Sequence, residues 1–299
     1  METIIISGGQ GFIGRALFNY FSKSSKLKVI GFDINPGNKV LHGDVRSGRL
    51  KDLIQRGSVL IHCASIAGVD NVLRNPCKCM DTIISGTMNM VNCACEAKVR
   101  KFINFSTSEV LGNTAFGKIV QMYGDRPLGV MGARAVYSNA KRAMENYSRE
   151  MCKSFNLPMV NIRPFNVFGP GQKTGGAIFR LISQCLMNET MEIRNYGSQI
   201  RSWTYIEDMI SAVELLINKK ELDYEDVSVG NPANTLSTDL LARMIKKITK
   251  SKSDINYIDW TEEDIELRIP DISPLRRLGY VPKIDIERGI EETVRYYEN

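Results

Sequence analysis

The first fourteen residues constrain the fold more than any later stretch. Residues 1–7, with Ile4, Ile5 and Ile6 in succession, read as a short buried strand. Gly8-Gly9-Gln10-Gly11-Phe12-Ile13-Gly14 follows at once, and Phe12–Phe21 reads as a helix. A strand, a glycine-rich turn and a helix make a cradle for the phosphates of a dinucleotide. Gly8 and Gly11 permit a tight turn and let backbone approach a pyrophosphate, and Gly14 lets the helix lie close on the sheet. The helix N-terminus at Phe12 and Ile13 offers N–H groups to an anion. The spacing is G-x-x-G-x-x-G rather than the commoner G-x-G-x-x-G.

A second fingerprint lies nineteen residues further on, where Lys28-Val29-Ile30-Gly31-Phe32-Asp33 reads as the next strand and ends in an acid. A carboxylate there accepts both ribose hydroxyls of NAD and repels a 2′-phosphate. Ile34, Asn35 and Pro36 follow, with no arginine to welcome NADP, so NAD is the expected cofactor.

A chain of 299 residues with 43% apolar side chains can build one large α/β domain or two interleaved ones. Net charge is +6, but the basic residues are scattered rather than blocked. That suits mild attraction to anionic substrates and argues against nucleic-acid binding. No apolar run approaches the length of a membrane span, and no signal-peptide pattern opens the chain. A cytoplasmic protein with no membrane partner is expected. The seven cysteines include Cys77-x-Cys79 and Cys93-x-Cys95, spacings unlike the C-x-x-C of zinc sites, and neither His42 nor His62 sits in a metal motif. Free thiols and no metal are expected.

Strands near 3–6, 28–33, 58–63 and 101–106 alternate with helices near 12–23, 47–55, 76–98 and 137–155. Such alternation implies a Rossmann-type doubly wound parallel sheet, with ligands beyond the carboxyl ends of its strands. Attention therefore falls on 7–14, Asp33, Asp44, 63–67 and 106–109. Asp44-Val45 follows a short strand and is a candidate contact for adenine. Ala64 closes another strand among small residues, which suits backbone running beside a cofactor. Beyond Asn161 the texture becomes loop-rich. The expected division is an NAD-binding domain over 1–163 plus roughly 201–232, and a smaller α/β substrate-binding lobe over roughly 164–200 and 233–299. Shorter elements are expected there, with a strand near 191–196 and helices near 207–218, 237–249 and 287–297.

Tyr137-x-x-x-Lys141 places a phenol and an ammonium one turn apart on a helix, with Ala140, Ala143, Met144, Tyr147 and Met151 as an apolar stripe beside them. An ammonium beside a phenol favours the phenolate, and the lysine is also suited to hold the nicotinamide ribose. Thirty residues earlier, Ser106-Thr107-Ser108-Glu109 stands at the end of a predicted strand, where a hydroxyl can bond the reacting oxygen while tyrosine exchanges its proton.

With these motifs the chain resembles the extended short-chain dehydrogenase/reductases that modify nucleotide sugars, the epimerases, 4,6-dehydratases and decarboxylases. The resemblance rests on 8–14, Tyr137 and Lys141, Arg163-Pro164-Phe165-Asn166 with Gly169-Pro170, Arg201-Ser202-Trp203-Thr204-Tyr205 and Arg268-Ile269-Pro270. It implies that Tyr137 takes the proton of the sugar C4 hydroxyl while hydride passes from C4 to tightly held NAD. It implies also that Thr107 or Ser108 binds the C4 oxygen, and that Asn166, Arg201 and Arg268 hold the substrate's diphosphate. Two arginines from separate segments suit such a clamp. A homodimer is implied through the helices at 76–98 and 137–155, with Met88, Met90, Met144 and Met151 as candidate contacts.

The fate of the 4-keto sugar depends on Glu109. Thr107-Ser108-Glu109 is similar to the Thr-Ser-Glu of sugar-nucleotide decarboxylases and of one group of dehydratases, and residues 125–141 look most like UDP-glucuronate-type decarboxylases. Residues 66–71 lack the proline-rich sugar loop expected of a UDP-xylose-forming enzyme, and Leu111 stands where tyrosine is common. Decarboxylation ranks above 4,6-dehydration, with 4-epimerisation close behind. A non-catalytic NAD-binding regulator is the remote alternative.

Overall fold

The structure, a computed structural model, describes residues 1–112, 114–116, 133–259 and 265–298. The part of the 125–141 stretch before Ala133 lies outside the described residues. Along the chain come β1 (Glu2–Ser7), α1 (Phe12–Phe21), β2 (Leu27–Asp33), β3 (Val40–His42), β4 (Val59–His62), α2 (Val69–Arg74), α3 (Pro76–Ala97), β5 (Lys101–Phe105), β6 (Thr114–Phe116), α4 (Ala133–Ser154) and β7 (Met159–Pro164). The remainder supplies β8 (Val167–Phe168), α5 (Ala177–Leu186), β9 (Met191–Arg194), β10 (Ile200–Ser202), β11 (Thr204–Tyr205), α6 (Ile206–Asn218), β12 (Asp226–Val229), β13 (Thr235–Ser237), α7 (Thr238–Thr249), β14 (Ile255–Ile258), β15 (Leu267–Ile269), α8 (Ser273–Arg277) and α9 (Ile286–Glu298). The chain divides into two compact units: Met1–Val110, Met131–Arg163 and Ile210–Val227 in one, Leu111–Val130, Pro164–Met209 and Ser228–Asn299 in the other.

A seven-stranded sheet in the order β12-β7-β5-β4-β1-β2-β3 dominates the first unit, with β1 to β5 and β7 parallel. The chain starts at β1, runs outward through β2 and β3, then returns to the other side with β4. The order thus reverses between β1 and β4, and a doubly wound sheet binds its ligand at such a switch point. Ile4, Ile5 and Ile6 are buried, as parallel strands covered on both faces require. Gly31 in β2 belongs to the same packing, because a Cβ there would stand 2.8 Å from the ring of Phe18 on α1.

A buried ion pair ties the start of β5 to the end of the unit. Lys101 Nζ donates to Asp223 Oδ1 and to the Lys219 carbonyl, each at 2.6 Å. Removing one partner of a buried pair strands the other charge. Asp223→Ala is expected to cost about 3 kcal/mol, lowering the melting temperature on the order of 10 °C in a thermal scan.

The second unit carries a four-stranded sheet, β13-β10-β15-β6, and the two-stranded pairs β11-β8 and β14-β9. Asp208 on α6 accepts the backbone N–H groups of Lys283 and Ile284, fixing the approach to α9.

Three expectations change. Residues 47–55 form only a short 3-10 turn, Gly48–Asp52, because Leu50 is the sole buried residue in it and polar side chains surround it. The loop-rich reading after Asn161 overlooked α5, whose Ile178, Leu181, Ile182 and Cys185 bury one face. The stripe on α4 is different too. Ala143 is exposed, and the buried face comprises Ala140, Lys141, Met144, Glu145, Ser148 and Cys152. Polar residues turned inward broke the apolar rule there.

All seven cysteines are free, Cys77 being exposed and Cys63 half-buried. Among the described residues no helix is long and apolar enough to cross a membrane.

Candidate active site

The glycine turn behaves as a cradle that side chains would fill. Gly8 has φ +71°, and a Cβ on it would lie 2.7 Å from the backbone nitrogen of Ala64. Gly14 has still less room, since its Cβ would stand 2.2 Å from the carbonyl oxygen of Gly8. The Gly11 N–H donates to that same carbonyl at 3.0 Å and closes the turn, after which α1 begins at Phe12 and Ile13. Asp33 ends β2 beside this turn, and its carboxylate accepts the N–H of Gln10 at 3.1 Å and of Asn35 at 2.9 Å. The acid is thereby fixed next to the phosphate cradle, as a ribose-binding carboxylate must be. These residues fit a dinucleotide.

Below the cradle, β1 and β4 are bridged across the switch point. The Ser7 hydroxyl and His62 Nδ1 are 2.7 Å apart, and His62 Nε2 reaches the Thr87 hydroxyl at 3.2 Å. Burial, helped by the nearby Lys141 charge, pushes the imidazole down to about 3, so it stays neutral. Ala64 continues from β4 and directs its N–H toward Ser7 Oγ at 3.4 Å. At the candidate adenine end, Val45 is buried against Gly86 of α3. The Asp44 carboxylate is largely occupied by Arg46, which also bonds Asp81 at 2.6 Å. That grip holds Asp44 below the usual carboxylate range.

The same unit contains the candidate catalytic group. Lys141 is buried and donates to the carbonyl of Phe105, the last residue of β5, at 2.6 Å. Burial pulls its ammonium down to about 8, opposed by Cys63, Cys79 and Glu145. Tyr137 is half-buried one turn earlier on α4. Immediately after Phe105 the chain turns through Thr107, Ser108 and Glu109. The Thr107 hydroxyl accepts the N–H of Glu109 at 3.2 Å, opening a 3-10 turn over Ser108–Leu111. Arg142 of α4 donates to the carbonyl of Val110, so helix and turn are fastened together twice. Thr107 and Ser108 are buried and Glu109 half-buried. The structure therefore gathers Tyr137, Lys141, Thr107, Ser108 and Glu109 on two adjoining pieces of one unit.

Asn166, Arg201 and Arg268 lie in the second unit. Asn166 has φ +40° and donates through Nδ2 to the Ser202 carbonyl at 2.8 Å. Arg201 on β10 and Arg268 on β15 are direct register partners in a parallel pair, and both are buried. Their side chains leave the same face of the sheet. Two arginines in register on one sheet face suit a multiply charged anion, and Arg201 also donates to the carbonyls of Ile200 and Glu266.

Sequence reasoning missed the polar net behind α4. Glu145 takes a two-point bond from Arg163 at 2.8 and 2.6 Å, and Arg163 also pairs with Asp226 at 2.8 Å. Only the four-residue spacing of Lys141 and Glu145 hinted at it, and nothing local points to Arg163 or Asp226 as partners.

A glycine turn at the switch point, an acid ending the neighbouring strand and a tyrosine–lysine pair beside a hydroxyl-bearing turn suit a dinucleotide-dependent enzyme of the short-chain dehydrogenase/reductase class. The chain matches the NAD dependent epimerase/dehydratase family over residues 4–230 and belongs to it. NAD is its cofactor. Among curated relatives it is 27% identical to UDP-glucuronic acid decarboxylase 1 of Xenopus tropicalis, over 99% of this chain and 72% of that protein. Among solved structures it resembles UDP-glucuronic acid 4-epimerase of Bacillus cereus in complex with UDP-glucuronic acid and NAD, with a TM-score of 0.87, 25% identity and 99% of each chain covered. It also shares the fold of UDP-glucose 4-epimerase of Thermotoga maritima, with a TM-score of 0.88, 23% identity, and 99% of this chain and 98% of that one covered.

Proposed function

We propose that the protein oxidises a nucleotide sugar at C4 and decarboxylates the resulting 4-keto uronic acid, with a UDP-hexuronate as substrate. The observation that carries this reading is the Thr107-Ser108-Glu109 turn, fastened to the helix of Tyr137 and Lys141. Two of the relatives support the substrate, since the Xenopus protein is named for UDP-glucuronic acid and the Bacillus enzyme was solved with it bound.

In this reading Gly8, Gly11, Phe12, Ile13 and Gly14 hold the NAD pyrophosphate, Asp33 its adenosine ribose, Asp44 and Val45 the adenine, and Ala64 lines its path. NAD, when bound, supplies a hydride acceptor for C4. Tyr137, as phenolate, takes the proton from the C4 hydroxyl. Lys141 keeps that phenolate stabilised and reaches the nicotinamide ribose. Thr107 or Ser108 donates to the C4 oxygen. A ketone at C4 makes the C6 carboxylate a β-keto acid, so the C5–C6 bond breaks and its electron pair remains as an enolate. Glu109 assists the protonation of C5 that follows, and C4 then takes its hydride back, which restores the oxidised cofactor. Asn166, Arg201 and Arg268 clamp the diphosphate, so the first unit serves the dinucleotide and the second the nucleotide sugar.

Glu109→Gln is expected to abolish turnover while sparing C4 oxidation. Absorbance at the reduced-nicotinamide band should therefore rise and persist when UDP-glucuronate is added. Normal turnover by this variant would favour the second reading, 4-epimerisation, which the Bacillus structure supports. Mass spectrometry and NMR of products separate the outcomes: loss of CO2 for decarboxylation, loss of water for dehydration, an isomer of equal mass for epimerisation.

Dimerisation through α3 and α4 belongs to the same reading, and light scattering tests it. Of the four methionines considered, Met90 and Met144 are buried inside the unit and are withdrawn as contacts, because they pack into its core, whereas Met88 is exposed.

A further inference from the structure

Behind the catalytic pair, the buried face of α4 carries charge. Lys141, Glu145 and Arg149 are spaced four residues apart and so stand one above another on the helix. Glu145 is almost wholly buried, at 1% exposure. A carboxylate this deep requires partners of opposite charge. Arg163 of β7 supplies one with its two-point bond, and shares its guanidinium with Asp226 of β12. Asp226 in turn accepts from Arg149 and from Asn161 Nδ2, the latter at 2.8 Å. Asn161 is held by Asn104 of β5 at 2.8 Å, and also donates to the Glu145 carbonyl at 3.2 Å.

The net thus binds α4 to β5, β7 and β12, and Lys141 stands at its inner end. With the lysine protonated it contains three cations and two carboxylates. Loss of the Tyr137 proton would bring the cluster to balance. The other titratable groups acting on Lys141 are His62 on β4, Cys63 just after it and Cys79 on α3. His62 is neutral, and burial raises both thiols. Glu145, gripped by Arg163, is therefore the one carboxylate among these groups.

We propose that Glu145 is a positioning residue of the catalytic apparatus, holding Lys141 charged and fixed against the Phe105 carbonyl, while Arg163 and Asp226 keep the carboxylate itself in place. This deepens the function proposed above and rests on its pairing of Lys141 with Tyr137. The sign follows directly: removing an anion disfavours the ammonium, so Lys141 should lose its proton at lower pH.

The test follows the Lys141 signal by NMR of holoenzyme labelled at lysine Cε, assigned by its loss in Lys141→Met. In Glu145→Gln the titration is expected to move to lower pH, and the alkaline limb of kcat/KM on UDP-glucuronate should fall with it. Arg149→Ala disturbs the same net without touching Lys141, and should lower the melting temperature while leaving the titration in place. Should Glu145→Gln not fold, Arg163→Lys decides. It keeps the cation but loses the two-point grip that holds the carboxylate in place, so Glu145 acts less on Lys141 and the titration moves down. An unmoved Lys141 in Glu145→Gln, or in Arg163→Lys where that decides, overturns the proposal, as does an equal shift in Arg149→Ala. A wild-type protein that converts no sugar defeats the functional reading separately, because the lysine titration is read without substrate.

Discussion

Replacing Tyr137 by phenylalanine is expected to lower turnover by roughly 10²- to 10⁴-fold with little change in bound NAD or melting temperature. The substitution deletes one oxygen from a half-buried side chain and leaves the helix intact. It also leaves Lys141 on the Phe105 carbonyl, because that bond does not involve the phenol. What disappears, on the function proposed here, is the group that takes the C4 hydroxyl proton. Proton transfer and hydride departure are coupled at one carbon, so both suffer together. The loss should appear in kcat rather than KM, since the phenol contributes to the transition state more than to substrate binding. Product formation followed by NMR, alongside NAD measured after acid release, checks both halves. Full activity in this variant would mean that a group other than Tyr137 takes the C4 proton.

The second large effect is expected at Gly14. Alanine there puts a methyl group 2.2 Å from the Gly8 carbonyl oxygen, a contact with backbone on both sides that no rotamer can relieve. Either α1 moves off the sheet or the Gly8 turn opens. Both displace the helix N-terminus from the phosphate position. Overpacking of this kind costs about 1–3 kcal/mol in stability. The loss of NAD should be larger in effect, because several backbone N–H groups leave the anion together. The purified variant is expected to carry little or no nucleotide, read from its ultraviolet spectrum, and to melt several degrees lower. Retention of NAD at the wild-type level would mean that the dinucleotide lies elsewhere.

The cradle was legible because it is local. Gly8, Gly11 and Gly14 act through neighbours within one turn, and Asp33 is placed by the strand next to β1. The Tyr137–Lys141 pair was legible for the same reason, one helix turn being a sequence distance of four. The buried charges were not. Asp226 lies 63 residues from Arg163, and nothing along the chain announces that the two will meet. Helix α4 was read as amphipathic from its apolar residues, but its inward face is set by Lys141, Glu145 and Ser148, which hydropathy assigns to solvent. The pairing of Arg201 with Arg268 was expected as a shared role and emerged as a shared register, a relation only the sheet can express.

The order in which β12 arrives has a consequence for how such a chain is made. The strand closes one edge of the seven-stranded sheet, yet Asp226 follows β8, α5 and β9 to β11 of the other unit in sequence. During synthesis, the first unit must wait for residues that emerge only after much of the second has left the ribosome. Until then Lys101 lacks Asp223, and Arg163 and Asn161 lack Asp226. Long-range contacts of this kind are made late and at a cost in chain entropy. The helix that carries Tyr137 and Lys141 can dock on its upstream partners at once, but its ties from Arg149 to Tyr224 and Asp226 are made only when a strand far downstream arrives.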